Sequence, residues 1–333
     1  MNVIQVGYGY WGANLAEKLL ESPKFKLMAV CETDPGRQQK AREAMPDEVA
    51  VTDDYTRFLS IDSINGFVIA TQTEQSFDIG MNAMRAKKHV FIEKPIATTV
   101  ERTRKLNALA AEKGIVLHCD HILLFNPYCR YIKEMIERGE LGDLIYIDAA
   151  RLNLGPIRKD VNALMDLAVH DIALVDWMIE GMIPQRVTAF GHVSIGKQET
   201  LTFLNIKYEN FIAHIKSSWI SPVKVRQTIF AGTKKMAVFN DMSTEKVRIY
   251  DCGIDVIPQK EYQEYAFLNR KGDIYIPNIE FEDSLKNSLD HFEQCVSAGT
   301  QSRSGPESSL RVMRILESAQ QDLMKITKDD NIL

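Results

Sequence analysis

The run Gly7-Tyr8-Gly9-Tyr10-Trp11-Gly12 follows Asn2-Val3-Ile4-Gln5-Val6 and leads into Asn14-Leu15-Ala16-Glu17-Lys18-Leu19-Leu20, and its reading decides the fold. Val3, Ile4 and Val6 predict a short buried strand, and the leucine-rich run after Gly12 predicts a helix. Between them the glycines fall as Gly-x-Gly-x-x-Gly. In that context the first glycine allows a tight turn, the second lets a pyrophosphate approach the backbone, and the third permits close packing of helix on strand. Amides at the helix start then meet the negative charge. Glycines also mark ordinary turns, so the assignment of Gly7, Gly9, Tyr10, Trp11 and Gly12 to a dinucleotide rests on the strands and helices downstream.

Those downstream elements agree. Lys26 to Cys31 reads as a second strand and ends at Glu32, twenty residues after Gly12, where a dinucleotide fold places an acid on the adenosine ribose hydroxyls. A carboxylate there repels a 2′-phosphate, which favours NAD over NADP; Arg37, close enough to swing toward a phosphate, is the competing feature. Helices from about Pro35 to Ala44, Ser76 to Ala86 and Val100 to Lys113 then alternate with apolar strands at Gly66–Ala70, His89–Ile92 and Ile115–His118. Apolar strands separated by helices predict a Rossmann-type parallel sheet with helices on both faces, over residues 1–120. Ligands of such sheets lie at the carboxyl ends of the strands, which here carry Thr71-Gln72 and Glu93-Lys94-Pro95. Thr71, Glu93 and Lys94 are therefore assigned to the cofactor site. A lysine beside a nicotinamide can also stabilise the alkoxide that forms as hydride leaves.

From about His121 the pattern changes. A helix is expected over Pro127–Glu137, a strand over Leu144–Ala150 and a helix over Asp166–Ile179, followed by extended runs at 186–193, 200–208, 212–219, 225–230, 236–239 and 247–250. Consecutive strands joined by short turns predict a largely antiparallel open sheet with helices on one face, making residues 121–333 a second, α+β domain. Two amphipathic helices, 284–296 and 308–323, are expected to cover core and to pack back on the first domain. The charged run Glu261–Lys271 reads as a solvated strand or loop, and the tail after Lys325 as frayed.

Composition narrows the function. A formal charge of -5, balanced 15 basic to 16 acidic up to Asp120 and 25 to 29 beyond it, leaves neither half a basic pole. Nucleic acid and anionic membrane are therefore not expected as partners. Five scattered cysteines without a Cys-x-x-Cys pair suit reduced thiols, and no leader or membrane-spanning run is read, so a cytoplasmic setting is expected. His118 and His121 flank Cys119-Asp120, but strand alternation sends the two histidines to opposite faces and no third ligand cluster is visible, so no metal is expected.

Gly7 to Gly12, Glu32, Ala70-Thr71, Glu93-Lys94-Pro95, Asp166-Leu167-Ala168-Val169-His170-Asp171 and the late Gly305-Pro306-Glu307-Ser308-Ser309-Leu310-Arg311-Val312 occur in one order at compatible spacing. Together they resemble the glucose-fructose oxidoreductase / inositol dehydrogenase / MocA family of nicotinamide-dependent sugar oxidoreductases. Arg151 to Asn162, Asn126-Pro127 and Gly139-Glu140-Leu141-Gly142 are similar to its nucleotide-sugar 3-dehydrogenases, which prepare 3-keto sugars for amination, as in cell-envelope polysaccharide assembly. Gln72 and Ser76 stand where the family often has proline and histidine, which leaves the contacts on the nicotinamide side open. Glu32 stands where aspartate is usual.

The resemblance implies an enzyme that moves hydride from a sugar carbon to NAD. His170 receives the hydroxyl proton, an imidazole having an ordinary pKa of about 6.5. Lys94 steadies developing negative charge, and Asp166, four residues from His170 and on the same helix face, holds the substrate or the imidazole tautomer. Asn126, Arg158 and Asn162 are expected to bind substrate together with Asp166 and His170, an arginine fork being suited to a carboxylate or phosphate. The leading expectation is oxidation of the 3-hydroxyl of a UDP-N-acetylhexosamine or its uronic acid. The alternatives are a free-sugar or inositol dehydrogenase and, from another class, a dinucleotide sensor that does no chemistry. The open face of the second sheet is expected to pack in a homodimer or homotetramer.

Overall fold

The computed structural model describes residues 1–258 and 265–329. Two compact units emerge, Met1–Phe125 with Glu282–Arg314, and Asn126–Phe281 with Ile315 onward. The first unit thus runs five residues past the boundary expected at 120 and takes in a late segment of the chain.

In the first unit, β1 (Asn2–Val6), α1 (Tyr10–Glu21), β2 (Lys26–Cys31), α2 (Pro35–Ala44), β3 (Ala50–Thr52), β4 (Gly66–Ile69), α3 (Thr73–Arg85), β5 (His89–Glu93), α4 (Val100–Lys113) and β6 (Leu117–Asp120) alternate as expected. The sheet order is β3-β2-β1-β4-β5-β6 with every pair parallel. Three features differ from the sequence reading, the first being α3, which starts at Thr73 and not at Ser76. β3 has three residues, too few to show a pattern, and it joins the edge by pairing with β2. β6 lies two residues later than expected, because Ile115 and Val116 are apolar for packing and precede the strand.

In the rest of the chain come α5 (Pro127–Glu137), β7 (Leu144–Leu154), a π-helical turn at Leu164–Ala168 continuing as α6 (Val169–Met178), then β8 (Arg186–His192), β9 (Leu201–Lys207), β10 (Ile212–Ser218), β11 (Ile220–Gly232), β12 (Met236–Asn240), β13 (Val247–Pro258) and β14 (Tyr265–Tyr275). The last helices are α7 (Ser284–Ala298) and α8 (Pro306–Asp329). Leu285, Leu289, Phe292 and Cys295 of α7 share one buried cluster with Val3, Leu15, Leu19, Phe91 and Val116, so α7 closes the first unit's core.

The second sheet runs β14-β13-β12-β11-β7-β10-β9-β8 and is antiparallel except for β7 beside β10. Its strands β9 and β10 alternate in burial along most of their length. Leu204, Ile206, Ala213 and Ile215 are sealed inside, while Phe190, Tyr146 and Ile212 on the other face are exposed. The pairing of β11 with β7 breaks between Ile220 and Val225, at Pro222, which has no N–H to give a ladder. Of the charged run Glu261–Lys271, residues 261–264 lie outside the described residues and the rest belongs to β14. The tail expected to fray after Lys325 continues as helix to Asp329, and residues 330–333 lie outside the described residues.

Candidate active site

The glycine loop is built on two kinds of contact. Gly7 has φ +97°, and a Cβ on it would overlap the Ala70 carbonyl and crowd Thr71; a Cβ on Gly12 would overlap the Gly7 carbonyl. These two are required by the fold itself. Gly9 is different: the nearest atom to a Cβ there is Arg37 Nη1 at 4.0 Å, so the backbone faces open space. The following helix α1 starts with no side chain capping its amides. An open glycine in front of uncapped amides is the cradle a pyrophosphate fills. Tyr10, 88% exposed, stands at the helix start, and Trp11 is half-buried behind it.

Glu32 sits at the end of β2 with each carboxylate oxygen accepting one backbone amide, from Tyr8 at 2.8 Å and Asp34 at 2.9 Å. A carboxylate has about four lone-pair directions, so acceptors remain for ribose hydroxyls. Arg37 Nη1 lies 3.8 Å from Glu32 Oε2, a loose ion pair with an exposed guanidinium. Thr71, at the end of β4, shares a hydrogen bond of 2.9 Å with Ser76 Oγ, so the serine that stands where the family often has histidine ties down the threonine. These residues fit a bound dinucleotide.

Lys94 follows β5 and is half-buried, and its peptide bond to Pro95 is cis. Next to it in sequence, Glu93 faces Asp120 across the neighbouring strands β5 and β6. Burial, and then the charge of Asp120, push the Glu93 carboxyl well above its usual range, while Lys94 and Trp11 draw it partly back. Burial pushes Asp120 up to about 6. Trp11 Nε1 makes no well-formed hydrogen bond, yet it lies close enough to both carboxyls to favour their charged forms. His121 is sealed; burial, and then the Lys94 charge, push its imidazole down to about 3, so it is neutral. The sequence reading weighs Asp120 and His121 only for metal binding, and ending β6 at His118 leaves a strand-end acid looking like part of a loop. The signal that finds Asp120 is its position beside Glu93 on a neighbouring parallel strand.

In the second unit, Asp166 lies in the π-helical turn and His170 on α6, both half-buried, while Ala168, Val169 and Ile172 between and beyond them are sealed. The two therefore share the accessible side of one helical run. Asp166 Oδ1 accepts from Arg158 Nη1 at 3.1 Å and Oδ2 from Trp219 Nε1 at 3.2 Å. Arg158 also donates to Asp160 at 3.0 and 2.5 Å. Trp219 was not singled out in the sequence; it follows β10, 53 residues from Asp166. Asp171 is sealed and accepts a two-pronged hydrogen bond from Arg151 at 2.9 Å on both oxygens, which makes it structural.

Asn162 and Asn126 serve the backbone. Asn162 is 3% exposed; its Nδ2 donates to Glu199 and Gln320, each at 2.8 Å, and its Oδ1 accepts from Met165 N at 3.0 Å. Asn126 caps α5, its Oδ1 accepting from the amides of Tyr128 and Cys129. Among the described residues no group of three or more His, Cys, Asp and Glu could hold a metal ion, and no helix is long and apolar enough to cross a membrane.

Comparison with known proteins fits this geometry. Residues 1–121 match the model of the oxidoreductase family with an NAD-binding Rossmann fold, and residues 129–238 match the GFO/IDH/MocA C-terminal domain. An uncharacterised oxidoreductase of Bacillus subtilis is 22% identical over 336 residues, 96% of this chain and 93% of that protein. A UDP-N-acetylglucosamine 3-dehydrogenase of Acidithiobacillus ferrooxidans is 27% identical over 209 residues, 60% of this chain and 64% of that enzyme. A crystal structure of UDP-N-acetylglucosamine 3-dehydrogenase from the same organism superposes with a TM-score of 0.80 at 20% identity, covering 97% of each chain. The chain is an NAD-binding oxidoreductase and belongs to the Gfo/Idh/MocA family.

Proposed function

We propose that the enzyme oxidises the 3-hydroxyl of a UDP-N-acetylhexosamine, or of its uronic acid, to a 3-keto sugar. The observation that carries this reading is the Arg158–Asp166–Trp219 cluster on the helical run of His170, in a segment that resembles nucleotide-sugar 3-dehydrogenases. The partial match to an enzyme of that activity supports it. Bound NAD supplies the hydride acceptor. His170 takes the hydroxyl proton, and the Lys94 ammonium steadies negative charge on the oxygen while the C–H bond breaks. Asp166, held by Arg158 and Trp219, keeps the substrate or the His170 ring in place. Asn162 fixes the turn into that segment and Asn126 the start of α5, and each reaches substrate only through the polar atoms its backbone duties leave.

Glu32 favours NAD over NADP, because a 2′-phosphate would face its carboxylate. The exposed apolar residues Phe190, Tyr146 and Ile212 on the open face of the second sheet suit packing against a second copy, as a homodimer or homotetramer. A mass measurement in solution checks this, and a monomer would overturn it. A cytoplasmic enzyme with neither nucleic acid nor membrane as partner completes the reading.

The test is NADH formation over a panel of UDP-sugars, free sugars and inositols, with the oxidised carbon identified in the product. Turnover of inositol or a free sugar without any UDP-sugar would establish the second reading. Binding without turnover of any candidate would establish a sensor. Lys94→Ala and His170→Ala should each slow the chemical step while NAD still binds, and wild-type rates in either would remove its assigned role.

A further inference from the structure

The carboxyl pair beside Lys94 is one end of a buried polar chain that the proposed reaction leaves unused. Glu93 and Asp120 occupy facing positions on β5 and β6, and burial together with the charge of Asp120 raises the Glu93 carboxyl, so the pair keeps one proton rather than ionising twice. Glu93 Oε1 and Asp120 Oδ2 are both buried and make no well-formed hydrogen bond. Asp120 Oδ1 accepts from Ser288 Oγ at 2.6 Å; Ser288 Oγ lies 3.0 Å from His118 Nε2; His118 Nδ1 lies 2.9 Å from Ser302 Oγ. Asp120, His118 and Ser288 are sealed from solvent. Ser302 is 8% exposed and sits between the exposed Gln301 and Arg303 in the loop between α7 and α8.

A network that served only to hold α7 against β6 would need its donors and acceptors matched and nothing more. This one has the additional property that every member can both give and accept a proton: carboxyl, carboxyl, hydroxyl, imidazole, hydroxyl. The members also come in a single file, from three separate parts of the chain, and end at the surface. We propose that Glu93, Asp120, Ser288, His118 and Ser302 form a proton-conducting chain through which the buried carboxyl pair exchanges its proton with solvent.

The transfer moves one proton and no electrons. In release, Ser288 Oγ first turns its proton from Asp120 Oδ1 toward His118 Nε2; it then takes the pair's proton and passes its own to His118 Nε2, while His118, in its Nδ1–H tautomer, gives that proton to Ser302, which gives its own to water. Only O–H and N–H bonds break and form, and the reverse sequence reloads the pair. Other titratable and charged groups face the chain from each neighbouring element: Lys94 after β5, Cys119 and His121 at the end of β6, His291 on α7, and Arg303 in the loop after it. Burial, then His291, His121 and Arg303, push His118 well below its ordinary range, so it is neutral at rest and passes the proton without storing it. The pair that keeps one proton carries a single negative charge opposite the Lys94 ammonium, and the chain lets that charge follow the pH of the medium despite its burial.

The test needs neither substrate nor NAD, so its failure is separate from failure of the sugar-oxidation reading. Infrared spectroscopy of the protein at neutral pH should show the carbonyl stretch of a protonated carboxyl, absent in Asp120→Asn. After rapid mixing into D2O, the shift of that band reports exchange of the pair's proton. Ser302→Ala, at the outer end of the chain, should slow this exchange about tenfold or more, equivalent to about 1.4 kcal/mol of added barrier. Ser288→Ala should do the same and Ser288→Thr should restore the wild-type rate. A merely structural network would not make exchange depend on a hydroxyl at 302. No protonated-carboxyl band in the wild type, or equal exchange rates in wild type and Ser302→Ala, would overturn the proposal.

Discussion

Two connections carry residues proposed for chemistry, and they are built on opposite principles. The turn from β1 into α1 is held by what its residues lack, because Gly7 and Gly12 let backbone meet backbone where a methyl would not fit. The connection from β7 to α6 is held by what its residues add. Arg158 bridges Asp160 and Asp166, Asn162 ties Met165, Glu199 and Gln320 together, and the Arg151–Asp171 pair fastens β7 to α6. The contrast separates a site built by local sterics from one assembled out of distant charged partners.

The contrast is open to direct attack, most strongly at its buried charges. Arg151→Met leaves Asp171 buried without its cation and should cost about 3–5 kcal/mol in chemical denaturation, whereas Arg151→Met combined with Asp171→Leu should recover much of the loss. A single-variant loss below about 1 kcal/mol would show that the pair does not anchor the connection.

Within the first turn, Gly12→Ala should cost about 2–3 kcal/mol through overlap with the Gly7 carbonyl. Gly9→Ala, with open space at its Cβ, should melt like the wild type yet bind NAD more weakly by titration. If both alanines lowered the melting temperature equally, the distinction between structural and ligand-facing glycines would collapse.

Trp219→Phe removes one of the two groups holding Asp166 and should cost about 1–2 kcal/mol. If the proposed role of Asp166 is right, its effect on turnover of the true substrate should exceed its effect on NAD binding. An equal effect on both would place Trp219 in general stability alone.

A further test concerns pH. Asp120 titrates at about 6 in the folded protein against 3.8 ordinarily, so its contribution to stability is present below about 4 and is lost as pH rises to about 6. His121, lowered to about 3, works in the opposite sense, its contribution being lost as pH falls below 6.5. Asp120→Asn removes the first and leaves the second. Its stability should therefore rise more steeply between pH 4 and 6 than that of the wild type, and an unchanged slope would remove Asp120 as the titrating group.

The sequence made the first turn legible because its determinants lie within six residues, and Glu32 comes at a spacing set by one helix and one strand. It made the helical face of Asp166 and His170 legible for the same reason of short-range periodicity. The partners of the second connection were not legible. Trp219 is 53 residues from Asp166, Glu199 is 37 from Asn162, and Gln320 is 158 from Asn162. Nothing in a local pattern announces a contact that strand order and chain return create. Asn162 illustrates the cost: a polar residue in a loop reads as a ligand contact, whereas its amide is engaged in fixing the chain. Asp120 was missed for a smaller reason, since apolar residues that precede a buried strand look like the strand itself.

The placement of α7 has a consequence for how the chain is made. All six strands of the first sheet are translated by residue 120, but Leu285, Leu289 and Phe292, which share a core with Val3, Phe91 and Val116, emerge more than 160 residues later. Until then the nascent sheet lacks part of its apolar cover, through the whole synthesis of the second sheet. The first half of this protein is thus written early and finished late, its core closing only once α7 has left the ribosome.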